Sequence, residues 1–300
     1  MAGVPARGAV LGLAAALLFT ACAGPRYGGP LYERGLDFER RGRLDEAVAA
    51  LRQAADRDRG DPVPREALAS LFYRRGWLAS ATQAWETALA DSSGVKGGAP
   101  DSAAEEARRR AAAGLLKIYL ARGAASVRGA LWADASADYL RATELDSGNA
   151  EAWCGLALAA GRLKDKDTAY LAYRRAFELV PGNADLAWGY GYEAHAVSRF
   201  GDALEAYRRY TSLEPLDARG WNNEGTILVE LGRFAESQAC FDRALALRPA
   251  LIPALNGKGS AFYYAARFED ARSQWARVLD LDPGDPTATR NMSTLVKMGF

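Results

Sequence analysis

Three sets of side chains in this 300-residue sequence are of types and spacings that could do chemistry. Cys22 closes the apolar run "AVLGLAAALLFTA", where its thiol is a nucleophile open to acylation. Trp188, Tyr192 and His195 stand at i, i+4 and i+7, which is one stripe of a helix and a large, stiff contact surface. Asn222, Asn256, Tyr263 and Tyr264 add aromatic area and amides that both donate and accept hydrogen bonds. Arg40, Arg74, Arg128 and Arg162 could pair with carboxylates.

Other chemistry is excluded by what is missing. There is one histidine, His195, which removes the common metal ligand sets and His-based triads. No phosphate-binding glycine loop, dinucleotide fingerprint or Cys-x-x-Cys occurs. Aspartates and glutamates are plentiful but scattered, as solvated side chains are. The expectation is a non-enzyme with no cofactor, no metal and no small-molecule substrate. The formal net charge is +1, and Arg7 is the only charged residue before Cys22, so the rest of the chain is neutral. That balance argues against a nucleic-acid partner.

The elements that would position these residues repeat every 34 residues. Tyr139, Tyr173, Tyr207, Phe241 and Trp275 follow one another at that step, as do Leu51 and Trp85. Four residues before each stands a small one: Ala47, Ala81, Ala135, Ala169, Ala203, Ser237 and Ala271. Units are assigned at 28–61, 62–95, 116–149, 150–183, 184–217, 218–251 and 252–285. Each reads as two helices. In the first, positions 4, 7, 8 and 11 form one apolar or small face. Position 8 is always Gly or Ala, which lets two helix axes approach. Proline at position 32 (Pro181, Pro215, Pro249, Pro283) closes one unit and opens the next.

This pattern resembles the tetratricopeptide repeat, W-x2-L-G-x2-Y…A-x3-F…P. The resemblance implies an all-α, right-handed superhelical solenoid of about seven helix-turn-helix repeats, with residues 286–300 as a C-terminal capping helix. Departures are local: Arg59, Ser93 and Ser147 replace the proline, Lys164 replaces the turn glycine of unit four, and Tyr210 and Val278 replace a small residue at position 27. Residues 96–115 are inserted between units two and three, a loop followed by an extension of the next helix. It reads either as a surface loop or as a hinge.

The same resemblance implies a concave groove lined by positions 2, 5, 9, 12 and 13, where a peptide segment or partner helix binds. Trp188, Tyr192, His195, Asn222, Asn256, Tyr263 and Tyr264 fall on those positions, and the four arginines all fall on position 13. Two readings of the arginines stay open: a ladder for an acidic client, or ordinary solvated charge. The Lys and Asn set of the eukaryotic chaperone clamp is absent.

At the N-terminus, "FTAC" resembles a bacterial lipobox, with Phe19 where leucine is usual. It implies a signal peptide over 1–21, a lipid on Cys22 and a tether over 22–27. Ala23 rather than Asp after the cysteine implies the outer membrane, periplasmic face; in a cell without one, the outer face of the plasma membrane. Cys154 and Cys240 lie two repeats apart, too far for a disulfide. The function expected is a lipid-anchored scaffold that holds protein partners during assembly of an envelope machine. Type IV pili, tight-adherence pili and exopolysaccharide export are the analogies. A glycan- or peptidoglycan-binding protein is the alternative.

Overall fold

The computed structural model describes residues 29–90 and 102–300 of the chain; Cys22 and the stretches expected to be a signal peptide and tether lie outside the described residues. The described residues form helices and turns, without a strand. They fall into two compact units that divide between Arg108 and Arg109.

The first unit holds two helical hairpins. α1 (Gly29–Arg40) packs on α2 (Leu44–Arg57), and α3 (Pro62–Arg74) on α4 (Leu78–Ala90). α5 (Ser102–Arg128) is one continuous helix of 27 residues in which the units divide. Its first residues come from the 96–115 insertion.

The second unit continues α5 with α6 (Trp132–Leu145), then α7 (Ala150–Leu163), α8 (Lys166–Leu179), α9 (Ala184–Ala196) and α10 (Phe200–Leu213). It goes on through α11 (Ala218–Glu230), α12 (Phe234–Leu247), α13 (Ile252–Tyr264) and α14 (Phe268–Leu281). α15 (Pro286–Lys297) follows and packs on α14. Each helix from α6 to α14 packs on the next, so this unit is a stack of hairpins. α15 buries Ala288 and Leu295 in the last core cluster, with Leu255, Phe262 and Trp275. It closes the apolar end that an eighth repeat would otherwise cover.

Short polar residues start many of these helices. Asn149 accepts from the amide of Ala152, Asn183 from Asp185 and Leu186, and Asp285 from Ala288. Each satisfies an amide that the helix leaves orphaned. The turn inside every hairpin follows one design. Residue 15 of the unit is left-handed in all seven: Gly42, Gly76, Ala130, Lys164, Ser198, Gly232 and Ala266, with φ between 55° and 75°. The amide after it donates back to residue 11, as Asp165 does to Ala160 at 3.0 Å and Leu131 to Ser126 at 2.8 Å. This is the Schellman closure, which normally favours glycine. Four of the seven residues carry a Cβ there. Replacing Ala130, Lys164, Ser198 or Ala266 by glycine is therefore expected to raise stability by roughly 1 kcal/mol each. Thermal melts of the single variants check this; a lowered midpoint in all four contradicts the strain.

The core is a column of rings seated on bare backbone. Tyr139 lies against Gly123 of its own unit and Gly155 of the next; Phe241 lies likewise between Gly225 and Gly257. Tyr173 sits on Gly189. The position-8 glycines follow from the repeat pattern above. The second set, at position 6, was missed there, although the same 34-residue alignment exposes it. Position 6 is glycine in units four, five and seven; in the sixth unit it is Asn223, whose amide oxygen accepts from Asn222 at 3.1 Å.

Candidate functional site in the second unit

The break at Asn223 coincides with an open cavity of about 350 Å³ on the first-helix side of the stack. Where units five and seven have glycine, Asn223 brings a Cβ and an amide, so Tyr207 keeps its glycine seat on Gly191 of its own unit but has none on the next. α9 supplies Trp188, Tyr192 and His195 to the lining. α11 supplies Arg219, Asn222, Asn223 and Thr226. Tyr207 lines it from α10, and Leu251 and Pro253 from the start of α13.

The i, i+4, i+7 spacing on α9 thus does place three of the expected residues in one site, with Asn222 opposite. Tyr192 is 59% exposed, its ring turned outward. Trp188 is half-buried and fixed on several sides. It meets Tyr210 edge-on at 5.0 Å and Tyr207 at 5.9 Å, and the Arg219 guanidinium lies 5.3 Å above its ring. Arg219 is itself held by Asp217, from Nη2 at 2.6 Å and Nε at 3.0 Å, and Tyr210 donates its hydroxyl proton to the same carboxylate at 2.7 Å. This pairing holds the Asp217 carboxyl well below its usual range. The indole, which dominates the site, therefore sits in a braced position. Burial pushes the Tyr207 phenol up to about 12, so it is a neutral hydrogen-bonding group at physiological pH.

Tyr263 and Tyr264 are elsewhere. They line a smaller cavity of about 120 Å³ with Ser260, Trp275, Asn291 and Thr294, between α13, α14 and α15. Tyr264 stacks on Phe234 at 5.9 Å and Tyr263 touches Met298. Asn256 donates to Asp285 at 3.2 Å, a tie to the last helix, and lines neither cavity. The expected aromatic and amide surface is thus two sites rather than one. Arg219, Asn223, Thr226, Leu251 and Pro253 were not singled out from sequence; Arg219 and Pro253 fall on an expected groove position (position 2), as does Thr226 (position 9), and the other two do not.

The arginines also divide. In the first unit, Arg40 is 3.9 Å from Asp37, and Arg74 pairs with Glu39 of α1. In the second unit, Arg128 is exposed, and Arg162 lies over the Trp132 ring at 5.5 Å. Cys154 and Cys240 are free thiols, the second raised to about 12 by burial and so inert. Among the described residues no group of His, Cys, Asp and Glu could hold a metal ion. No described helix is long and apolar enough to cross a membrane.

One buried acid flanks the site. Glu193 on α9 is 8% exposed, and burial raises its carboxyl above the ordinary range, with Lys166 pulling the other way. A raised native pKa favours folding below the unfolded value and is lost as pH rises through the native one. Glu193→Gln is thus expected to raise the melting midpoint more at pH 8 than at pH 4. A gain that is equal at both pH values, or absent, contradicts the assignment.

Three tetratricopeptide-repeat models match, over residues 32–95, 150–183 and 218–251. The chain carries tetratricopeptide repeats. Two of the matched stretches coincide with the units at 150–183 and 218–251, and the third spans the second unit and all but four residues of the first; the repeats explain the hairpin stack. No curated protein matches in sequence. Among solved structures, the MamA protein aligns with a TM-score of 0.51 and 16% identity, over 56% of this chain and 92% of that one. MamA of MSR-1 aligns with a TM-score of 0.50 and 20% identity, over 56% and 97%. YrrB, a TPR protein with an unusual peptide-binding site, aligns with a TM-score of 0.49 and 18% identity, over 81% and 97%. The two MamA likenesses show a shared fold.

Proposed function

We propose that this tetratricopeptide-repeat chain is a non-catalytic scaffold that binds a segment of a partner protein on the first-helix face of its second unit. One observation carries the reading: a cavity of about 350 Å³ walled by Trp188 and Tyr192 and floored by Asn222, Asn223 and Thr226. Large aromatic surfaces braced in place give contact area at low entropic cost, and amides bond to a peptide backbone. The scaffold works at the cell envelope. The lipobox-like "FTAC" supports a lipid on Cys22 and a place on the periplasmic face of the outer membrane. Assembly of a pilus or an exopolysaccharide exporter is the setting that lipoproteins of this build suggest.

In-cell crosslinking and purification from solubilised envelope tests the binding role. The wild type is expected to retain a discrete protein partner that a Trp188→Ala, Tyr192→Ala variant loses. An unchanged partner set refutes the groove. The anchor is tested separately by Cys22→Ala, which is expected to abolish lipid labelling and release the protein from membranes. Retention of both would refute it. A second reading, a glycan or peptidoglycan ligand, draws on the same Trp188–Tyr192 platform beside Asn222. Peptidoglycan pull-down by the wild type and not by the variant would favour it.

A further inference from the structure

We infer that the segment held by the second unit pairs a large uncharged side chain, seated in the Trp188–Tyr192 cavity, with an acidic stretch lying along Arg162 and Arg128. The inference rests on the groove reading above and adds the chemistry of the occupant.

The cavity asks for an uncharged group. Its walls are the Trp188 indole, the Tyr192 ring, Leu251 and Pro253, with amides and a hydroxyl between them. Its one arginine, Arg219, is neutralised by Asp217 through two hydrogen bonds and faces the indole. An acidic side chain placed there would meet a guanidinium whose charge Asp217 already balances.

Free positive charge begins one helix away. On α7, Leu158 and Arg162 are an i, i+4 pair on the helix face equivalent to that of Trp188 and Tyr192 on α9, and Leu158 is exposed. Arg162 is exposed yet held in place by its stack on Trp132. Stacking one face of a guanidinium leaves its N–H edge open to a carboxylate. Arg128 stands at the same repeat position on α5. Neither forms an ion pair with a described residue, whereas Arg40 and Arg74, the equivalents in the first unit, are each engaged by an acid. The opposite ends of α7 and α9 carry the exposed acids Glu151 and Asp185. An acidic segment is therefore steered to the Arg128–Arg162 edge and repelled from the other, which gives the occupant a direction.

The test uses the full chain and fluorescein-labelled synthetic peptides. Each carries Trp-Leu and Glu-Glu-Asp, separated by about two to eight Gly or Ser residues to cover the unknown span. Controls replace the acids by Lys, or Trp-Leu by Ser-Ser. At low salt, at least one spacing is expected to bind about tenfold tighter than its Lys counterpart. Arg128→Ala with Arg162→Ala should erase that preference, and Trp188→Ala with Tyr192→Ala should weaken both peptides. Equal binding of acidic and Lys peptides, still dependent on Trp188 and Tyr192, overturns the inference and leaves the groove standing. So does Trp188-dependent retention of peptidoglycan fragments with no peptide bound at any spacing. No Trp188-dependent binding of any probe, together with an unchanged crosslinked partner set, overturns both.

Discussion

Phe241→Ala is expected to cost about 3–5 kcal/mol and to give the largest fall in melting temperature of any single groove-neutral substitution in the second unit. The ring is fully buried, between Gly225 of its own hairpin and Gly257 of the next. Ala244, Ala254 and Ala261 share its cluster and are too small to fill the space left behind. Helical hairpins in a stack touch only their neighbours, so the loss falls on the α12–α13 junction and should uncouple the two sides of it. The expected melt is lower and broader than wild type. A drop below about 1 kcal/mol would mean that the junction is held by something other than this ring.

Gly257→Ala and Gly189→Ala are the second pair of large effects, and their direction runs against helix propensity. Alanine is the better helix former by up to about 1 kcal/mol. A Cβ on Gly257 would lie 2.5 Å from the Phe241 ring, and one on Gly189 would press still harder into Tyr173. These neighbours are rings wedged between helices, so relief requires the helices to separate. Overpacking of this kind costs about 1–3 kcal/mol. Gly161→Ala is the control: its Cβ would meet only Glu193 Oε1 at 3.5 Å, so propensity prevails and stability is unchanged or higher. Chemical denaturation of the three variants separates the effects. Equal behaviour of all three would remove the seat-and-ring account of the junctions.

Much of this architecture is legible in the residues. The 34-residue step works because one helical pair buries a fixed pattern of small and bulky side chains, so every unit must repeat it. The left-handed turns were harder. Ala130, Ser198 and Ala266 adopt them without the glycine that would have announced them, since closure of the hairpin outweighs local strain. The site was half legible. Helical spacing joined Trp188, Tyr192 and His195, because it is a property of one helix. It could not join or separate residues on different helices. Tyr263 and Tyr264 went to a second cavity because α15 packs beside them, and Asn256 turned to Asp285 for the same reason. Asn223 lines the cavity together with Tyr207, a departure from glycine whose place beside that ring shows only in the fold.

The central claim is that the α9–α11 face is where a partner sits. A photo-crosslinking amino acid placed at Thr226, in the cavity, and at Glu205, exposed on α10, tests it most directly in living cells. The account predicts one discrete crosslinked protein from position 226, lost when Trp188 and Tyr192 are alanine, and none from position 205. Crosslinks from 205 alone, or crosslinks from 226 that survive the double substitution, would contradict it.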